Sequence, residues 1–519
     1  MARGRRGADR DRGDATRAAP ADAAPIEGVA WSRATAALTA VACAAWVLRL
    51  APQALRARFY TDECFHAYAS TWILAHHALP RELPGLYSGF YYYYPPLLHV
   101  VGALWAGAWG AGALRVLNLA LAGATLVVLG WGARGVAPAA PRRWAVLLAL
   151  LSLPLAEYAL RFYAEALETL LATVVCVAWL RVHVRPSWPR GALLGVALGL
   201  ALLAKQSAAL LPVALLAWGI VAFARGRRDE ARAHVIALGV GLALALPMWW
   251  RNAVLFGSPF YPALAPDVSS ELYRQNLTLF GLAPWAFYRE VAGGIGPLVL
   301  AACAAGLAWR VARRRFDAVG GLIAFCLLAI LAAPLLPIHA PRHVNPLIPP
   351  LALLGAWAAW DAWGRGRRRA RVVDVALLAL VAAWLVVLPD LRSDFDIDPA
   401  LESFDARIEA ALPPSARVLS LWTYDTYWYS RRAATWPIPW GQRAHPVALL
   451  EARSPDRLEA EMRAEGIDAL VVPYASEDER FNGANYPRAF VACVESLVRG
   501  GRLRVLARSD SLGLALVAR

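Results

Sequence analysis

The sequence predicts an α-helical polytopic membrane protein that ends in a small α/β domain. Three observations predict it. Of 519 residues, 59% are hydrophobic, against roughly 45–50% in soluble domains. Apolar runs of membrane-crossing length recur from residue 31 to residue 389. The composition then changes at Asp390, where the chain becomes acidic and its apolar runs shorten to strand length.

The elements follow in order. Residues 1–30 are rich in Arg, Ala, Asp and Gly and read as a disordered cytoplasmic tail. The apolar run behind them shows no small-residue cleavage site, so it reads as a retained span. A spanning helix needs about 20 apolar residues. Candidate spans are 31–51, 114–132, 144–160, 164–182, 190–205, 207–224, 233–250, 291–310, 318–337, 344–363 and 372–389, about eleven in all. The stretch 97–112 is apolar but short, and reads as an interfacial or re-entrant helix.

Charge gives an independent reading of topology. The net charge is +15, yet residues from Asp390 onward carry 16 Arg against 19 acids, so the basic excess belongs to residues 1–389. With the N-terminus inside, the loops 133–144, 181–190, 225–232, 309–316 and 364–371 are cytoplasmic, and they hold 3, 3, 4, 4 and 5 Arg. This is the positive-inside pattern of a membrane protein, and it argues against a nucleic-acid-binding face. It leaves the segment 390–519 outside. There, RVLSLW (417–422) and DALVVP (468–473) read as buried strands, and PDRLEAEMRAEG (455–466) as an amphipathic helix. YPRAFVACVESLVRGG (486–501) reads as a second helix, and RLRVLAR and LGLALVAR as further strands. Of six Cys, Cys64 and Cys493 both face outward in this reading, and a disulfide between them stays open.

The first outer loop, Pro52 to Pro96, carries the chemistry-bearing residues. Asp62 and Glu63 sit side by side in an aromatic, His-rich setting. A carboxylate at the membrane boundary can act as a general base, because partial desolvation raises its proton affinity while a nearby cation limits the rise. Two solvated loop acids is the bland alternative. The run FYYYYPP (90–96) adds aromatic faces beside the acids, including Tyr93 and Tyr94. Such faces stack on sugar rings and pack isoprenoid chains, and they also serve as an interfacial belt.

Ionisable residues in or beside spans call for a functional hypothesis. Lys205 is the only Lys in the chain, and it lies between two apolar runs. Its compact ammonium suits a point contact to phosphate; a snorkelling helix-end Lys is the alternative. Arg161 and Glu165, at i and i+4, read as one helix face: either a structural ion pair, or a phosphate contact beside a substrate-orienting acid. Arg251 and Arg342 lie at later boundaries, Arg342 being a phosphate candidate at the mouth of a span. His339 and His343, separated by Pro341, make a poor zinc motif. No cofactor is firmly implied, and a divalent metal stays open.

These residues resemble, in order and spacing, the GT-C superfamily, in particular the bacterial relatives of protein O-mannosyltransferases and of the aminoarabinose lipid A transferase. The matching elements are TDE in the first outer loop, PPL (95–97), ALR (113–115), LRFYAEAL, LLAKQS, FGSPFYP and PRHVNPLIPPLALL. The resemblance implies a GT-C fold of about eleven spans in a bacterial inner membrane. It implies a polyprenyl-phosphate sugar donor and a protein, lipid or glycan acceptor, with no nucleic acid. Asp62 matches the family's catalytic base, with Glu63 beside it; Glu165 falls near a second outer-face acid behind Arg161; Lys205 matches the Lys thought to contact the lipid phosphate. Arg251, Arg342, His66, Tyr93 and Tyr94 complete the candidate substrate-binding set. Where the aminoarabinose transferase has an Arg soon after its DE pair, Phe65 and His66 stand here, and the usual LTKG reads LAKQ. Direct displacement at the anomeric carbon would invert it. A transporter or flippase would instead show internal repeats and charges crossing the membrane, and a non-catalytic scaffold would leave the Asp62–Lys205 constellation without a role.

Overall fold

A computed structural model describes residues 30–86, 92, 94–260, 284–335, 341–362, 367–394, 396–420, 422–435, 447–474 and 486–519. The expected tail lies outside the described residues, as do Tyr93 and His339.

The predicted apolar runs form helices. The chain opens with α1 (Ala30–Arg56), α2 (Asp62–His76), α3 (Leu97–Trp109), α4 (Leu114–Val127), α5 (Ala139–Leu150), α6 (Leu153–Leu160) and α7 (Ala164–Val184). It continues with α8 (Trp188–Ala204), α9 (Leu210–Ala224), α10 (Arg228–Phe256), α11 (Pro284–Ile295), α12 (Pro297–Ala312), α13 (Ala318–Ala332), α14 (Ile348–Ala362) and α15 (Arg367–Val387). Among the described residues, six helices are long and apolar enough to cross a membrane, or eight if each of two bent pairs is one span. The bent pairs are α5 with α6, at 66°, and α11 with α12, at 93°. The helices α3, α8 and α13 are apolar but shorter. At 1.5 Å per residue, the 13 residues of α3 fall well short of a bilayer core.

Two features of the bundle follow from side-chain size and charge. Gly191, Gly195 and Gly199 recur every fourth residue on α8 and face α10. A Cβ on Gly195 would lie 2.7 Å from the Ala237 carbonyl oxygen, so the two backbones touch in the small-residue packing that membrane helices favour. At the Arg-rich helix ends, buried or half-buried cations find carboxylates. Arg143 and the Trp144 indole both donate to Asp374, at 2.8 and 3.0 Å. Arg310 meets Asp317 at 3.2 Å and Asp361 at 2.7 Å.

Beyond α15 come α16 (Pro399–Ala411), β1 (Arg417–Leu419), α17 (Thr423–Ser430), β2 (Ala433–Thr435), α18 (Val447–Leu450), α19 (Pro455–Ala464), β3 (Ala469–Pro473), α20 (Arg488–Arg499), β4 (Arg504–Ser509) and β5 (Leu514–Ala518). The strands form one sheet in the order β2-β1-β3-β5-β4, with β1 parallel to β2 and β3, and β5 antiparallel to β3 and β4. Both faces of the sheet are covered. Leu470 and Val472 pack with Leu458 and Met462 of α19 and Phe490 of α20. Ala469 and Val471 pack with Phe404 and Ile408 of α16 on the other face. That is why β3 reads as an unbroken apolar run and not as an alternation. Gly466, at φ +64°, ends α19. Cys64 and Cys493 are both free and buried, so the disulfide left open by the sequence is not formed.

The sheet unit is stitched to the bundle. The Arg49 guanidinium donates to Leu388 O at 2.8 Å, and the Leu391 N–H donates to the Gln53 side chain at 2.8 Å. The Arg58 N–H donates to Asp396 at 2.7 Å, and its guanidinium pairs with Glu402. The Ala434 N–H of β2 donates to Gly85 O at 2.8 Å.

A bulky residue on the glycine face of α8 must separate two backbones. Gly195→Val is expected to cost about 1–3 kcal/mol, read as a lower thermal midpoint in detergent micelles. Gly239→Ala on α10, whose added Cβ meets nothing within 4 Å, is expected not to lower the midpoint, Ala being the better helix former.

Candidate active site

The site is built on breaks between helices, where backbone and side-chain polar groups become free to meet. The first break lies between α6 and α7. Arg161 is extended (φ −101°, ψ 132°) and Tyr163 likewise (φ −118°, ψ 160°), so three peptide groups leave the helical ladder. Buried peptide groups must find partners. The Phe162 N–H donates to Glu63 Oε1 at 2.7 Å, and the Asn118 amide donates to the carbonyls of Arg161 and Tyr163. Glu63 also receives both Nε and Nη2 of Arg115, with Nε at 2.8 Å. The Glu63 and Arg115 side chains are 1% and 0% exposed. Burial pushes the Glu63 carboxyl up, and the Arg115 charge with three donated hydrogen bonds opposes that rise. Glu63 is thus a structural carboxylate that ties α2 to α4 and to the α6–α7 break. The expectation that both acids of the pair do chemistry therefore changes at Glu63, which points into the protein interior.

Asp62 points elsewhere. It is the first residue of α2 and is 35% exposed, 3.3 Å from Arg342 Nη1. Arg342 Nε lies 3.8 Å from Glu165 Oε1, and the same oxygen accepts from Lys205 Nζ at 2.9 Å. Lys205 also meets Glu168 at 3.5 Å. Asp62, Arg342, Glu165, Lys205 and Glu168 therefore form one chain of alternating charge. Lys205 reaches it because α8 stops at Ala204 and the backbone turns extended at Lys205 (φ −157°, ψ 148°). Glu165 and Glu168 lie on the first turns of α7, one turn apart, so both face the ammonium. Burial works against the charge on Arg342, but the carboxylates of Asp62 and Glu165 more than offset it and hold the guanidinium above its ordinary range.

The remaining sequence candidates sit around this chain. Arg161 pairs with Glu157 at 2.7 Å, not with Glu165. The helix face expected to join Arg161 and Glu165 does not exist, because the chain leaves the helix between them. Arg251 lies apart from the cluster: it donates to the carbonyls of Tyr92 and Pro80, at 2.9 and 2.5 Å, and so fastens the segment after α2. His66 is buried and hydrogen-bonded to His99 at 2.7 Å, which in turn meets the Tyr92 hydroxyl at 2.6 Å. Burial pushes the His66 imidazole down to about 4, so it is neutral at physiological pH. The Tyr94 ring stands 5.4 Å from His66 and 5.0 Å from Phe65. Among the described residues, no group of three or more His, Cys, Asp or Glu is placed to hold a metal ion.

Sequence reasoning missed five participants. Arg115 and Asn118 interrupt an apolar run, and Glu168 follows Glu165 by one turn, so the rarity of polar residues in spans was a usable signal. Thr61 was marked only as part of the TDE element, and Asp425 carried no signal. The Asp425 carboxylate accepts the Thr61 N–H at 2.7 Å from a position 364 residues away. Burial pushes its carboxyl up from 3.8 to about 7.

An open cleft of about 490 Å³ is lined by Tyr68, Trp72, His76, Gly85 and Tyr427, farther along α2 from Asp62. It lies between α2 and α17. The Tyr68 and Tyr427 rings meet across it at 4.6 Å.

The Asp425 shift gives a pH prediction. A carboxyl with a raised folded-state pKa stabilises the fold fully below its unfolded value of 3.8 and loses that contribution as pH rises to about 7. Asp425→Asn removes the titration but keeps an acceptor, so its thermal midpoint should exceed the wild type's by more at pH 8 than at pH 5. The difference is on the order of a few kcal/mol. Asp405, Tyr60 and Cys64 share the environment, and each is relieved of the Asp425 charge in the variant, which acts in the same direction.

Residues 133–391 match the model of the Alg9-like mannosyltransferase family, a stretch that holds Glu165, Lys205 and Arg342 but not Asp62. No curated protein sequence matches the chain. The archaeal oligosaccharyltransferase AglB from Archaeoglobus fulgidus, solved with an inhibitory peptide and a dolichol-phosphate, superposes with a TM-score of 0.61 at 13% identity. That match covers 85% of this chain and 69% of AglB. ArnT from Cupriavidus metallidurans, solved bound to undecaprenyl phosphate, superposes with a TM-score of 0.60 at 16% identity, covering 94% of this chain and 98% of ArnT. By fold, and by the family match over residues 133–391, the chain resembles the GT-C superfamily of membrane glycosyltransferases.

Proposed function

We propose that the protein transfers a sugar from a polyprenyl-phosphate donor to an acceptor hydroxyl at the extracytoplasmic face of a bacterial inner membrane. Asp62 is the general base and the anomeric centre inverts. The observation that carries this reading is the contact of Asp62 with Arg342, which joins a partly open carboxylate to the Glu165–Lys205–Glu168 chain. A base must be ionised and must reach the acceptor proton. One-third exposure leaves Asp62 accessible. The lipid phosphates bound by AglB and ArnT, structures of the same fold, support the donor class.

The charge balance refines the role of the cations. Three carboxylates and two cations leave the five-residue chain negative, so Lys205 and Arg342 are already neutralised. An incoming lipid phosphate competes with Glu165 and Asp62 for Arg342 and Lys205. As the glycosidic bond breaks, negative charge grows on the phosphate oxygen, and the same two cations, held in place by their acids, face it. The alternation of Arg-rich loops, with N-terminus inside, supports the side of the membrane assigned to Asp62.

Two measurements test this. Transfer of radiolabelled sugar from candidate polyprenyl-phosphate donors in membranes should fall by about 10²–10⁴-fold in Asp62→Asn, with insertion and thermal midpoint preserved. Full transfer by that variant would remove Asp62 from the mechanism. In intact cells, Arg81→Cys, at an exposed position after α2, should react with a membrane-impermeant maleimide. Protection until the membrane is permeabilised would place the site on the cytoplasmic side.

A further inference from the structure

We propose that Asp425, carried by α17, is a positioning residue for sugar transfer: it holds the turn at Thr61 from which Asp62 projects. The inference rests on the reading of Asp62 as the base.

The residue before Asp62 has an unusual backbone. Thr61 lies at φ 53°, ψ −123°. Positive φ is uncommon for any residue other than glycine, and a β-branched side chain there is a marked outlier. Such a conformation persists only where its surroundings over-determine it. Three contacts do so. The Thr61 N–H donates to Asp425 Oδ1 at 2.7 Å. The Thr61 hydroxyl meets the Tyr163 hydroxyl at 3.1 Å. The Cys64 N–H closes the turn on Thr61 O at 3.0 Å. Of these, only the Asp425 contact comes from outside the bundle, and it acts on the peptide that sets φ of Thr61.

Asp425 is itself fixed. It is 1% exposed. The helix α17 begins where the Thr423 hydroxyl donates to Ser420 O at 2.7 Å, and the hydroxyls of Ser420 and Thr426 meet at 2.9 Å. The same helix grips the segment around Thr61 from several sides. The Tyr429 hydroxyl donates to Phe59 O at 2.6 Å, the Trp428 ring stands 5.7 Å from Phe59, and the Tyr424 ring stands 5.3 Å from Phe65. A second contact of the sheet unit, Ala434 N–H to Gly85 O, closes the far end of the segment. The C-terminal unit therefore shapes the turn that aims the base, and the Asp425 carboxyl also feels the charge of Asp62. The function required of Asp425 is hydrogen-bond acceptance, which either protonation state of the carboxyl supplies through an oxygen, and which an Asn carbonyl also supplies.

The test is a set of variants assayed for transfer at saturating acceptor, with kcat and donor KM separated. Asp425→Ala should lower kcat by about 10-fold or more while leaving donor KM within about two-fold. Asp425→Asn should retain most of the activity. Thr61→Gly placed in the Asp425→Ala background should restore part of the lost kcat, because glycine takes positive φ without an anchor. A merely structural role in docking the sheet unit would not respond to glycine at position 61. Wild-type kcat in Asp425→Ala, equal damage from Asn and Ala, or no recovery on adding Thr61→Gly would each overturn the inference. If Asp425→Ala does not accumulate, Asp425→Ser, polar but too short to reach the Thr61 N–H, takes its place with the same expectations. Asp62→Asn is assayed in parallel. An inactive Asp62→Asn beside a fully active Asp425→Ala sinks this inference alone, whereas an active Asp62→Asn sinks the base reading and this inference with it.

Discussion

The buried pair of Glu63 and Arg115 is the constraint on which the site's geometry depends. Two opposite charges removed from solvent are tolerated only when paired and fully hydrogen-bonded. Glu63 meets that demand by taking two bonds from Arg115 and one from the Phe162 N–H. Three separate stretches of chain are thereby locked together: the start of α2, the start of α4, and the break between α6 and α7. Because Asp62 precedes Glu63 directly and Glu165 follows Phe162 by three residues, a single buried contact sets the frame in which both open acids sit. Neighbouring carboxylates in the sequence thus take opposite roles, one as ballast in the interior and one at the exposed end of a charge chain.

The charge chain illustrates how a polar site is held at the edge of an apolar bundle. Glu165 and Glu168 are each about one-twentieth exposed, and Lys205 less than one-fifth. In such surroundings an unpartnered charge is costly, so each member contacts its opposite. This ordering keeps the cations in place before a phosphate arrives, which reduces the reorganisation required when charge develops. The excess of acid in the chain also argues that phosphate binding is exchange of partners and not capture by bare cations. Arg161 and Arg251 fall outside this exchange. One is absorbed by Glu157, and the other by backbone carbonyls of the segment after α2.

The sheet unit contributes more than a lid. Its helix α17, its strand β2 and the 388–402 connection all bond to α1 or to the segment between α1 and α3. The backbone strain at Thr61 is stored in this arrangement. A bundle without the sheet unit would lack the acceptor that faces the Thr61 N–H.

The sequence by itself determined the membrane character, the run of apolar helices and the presence of a terminal α/β unit. Each of these follows from composition and periodicity along the chain: lipid and buried sheet interiors both demand unbroken apolar stretches, and Gly466 and Gly500 mark helix ends in local code. It also singled out Asp62, Lys205, Glu165 and Arg342, because charges at span boundaries are rare enough to stand out. Their partners were not legible. Spacing suggested Arg161 with Glu165, but that pairing presumes a continuous helix, and the chain breaks at Phe162. The short, aromatic α17 and the three-residue β2 have no apolar period strong enough to announce them. Only the tertiary structure decided that Glu63 is buried, that Lys205 is shared by two acids, and that Asp425 reaches Thr61 across 364 residues. The physical reason is the same in each case: periodicity reports which face of an element is apolar, while the pairing of charges depends on which distant faces meet.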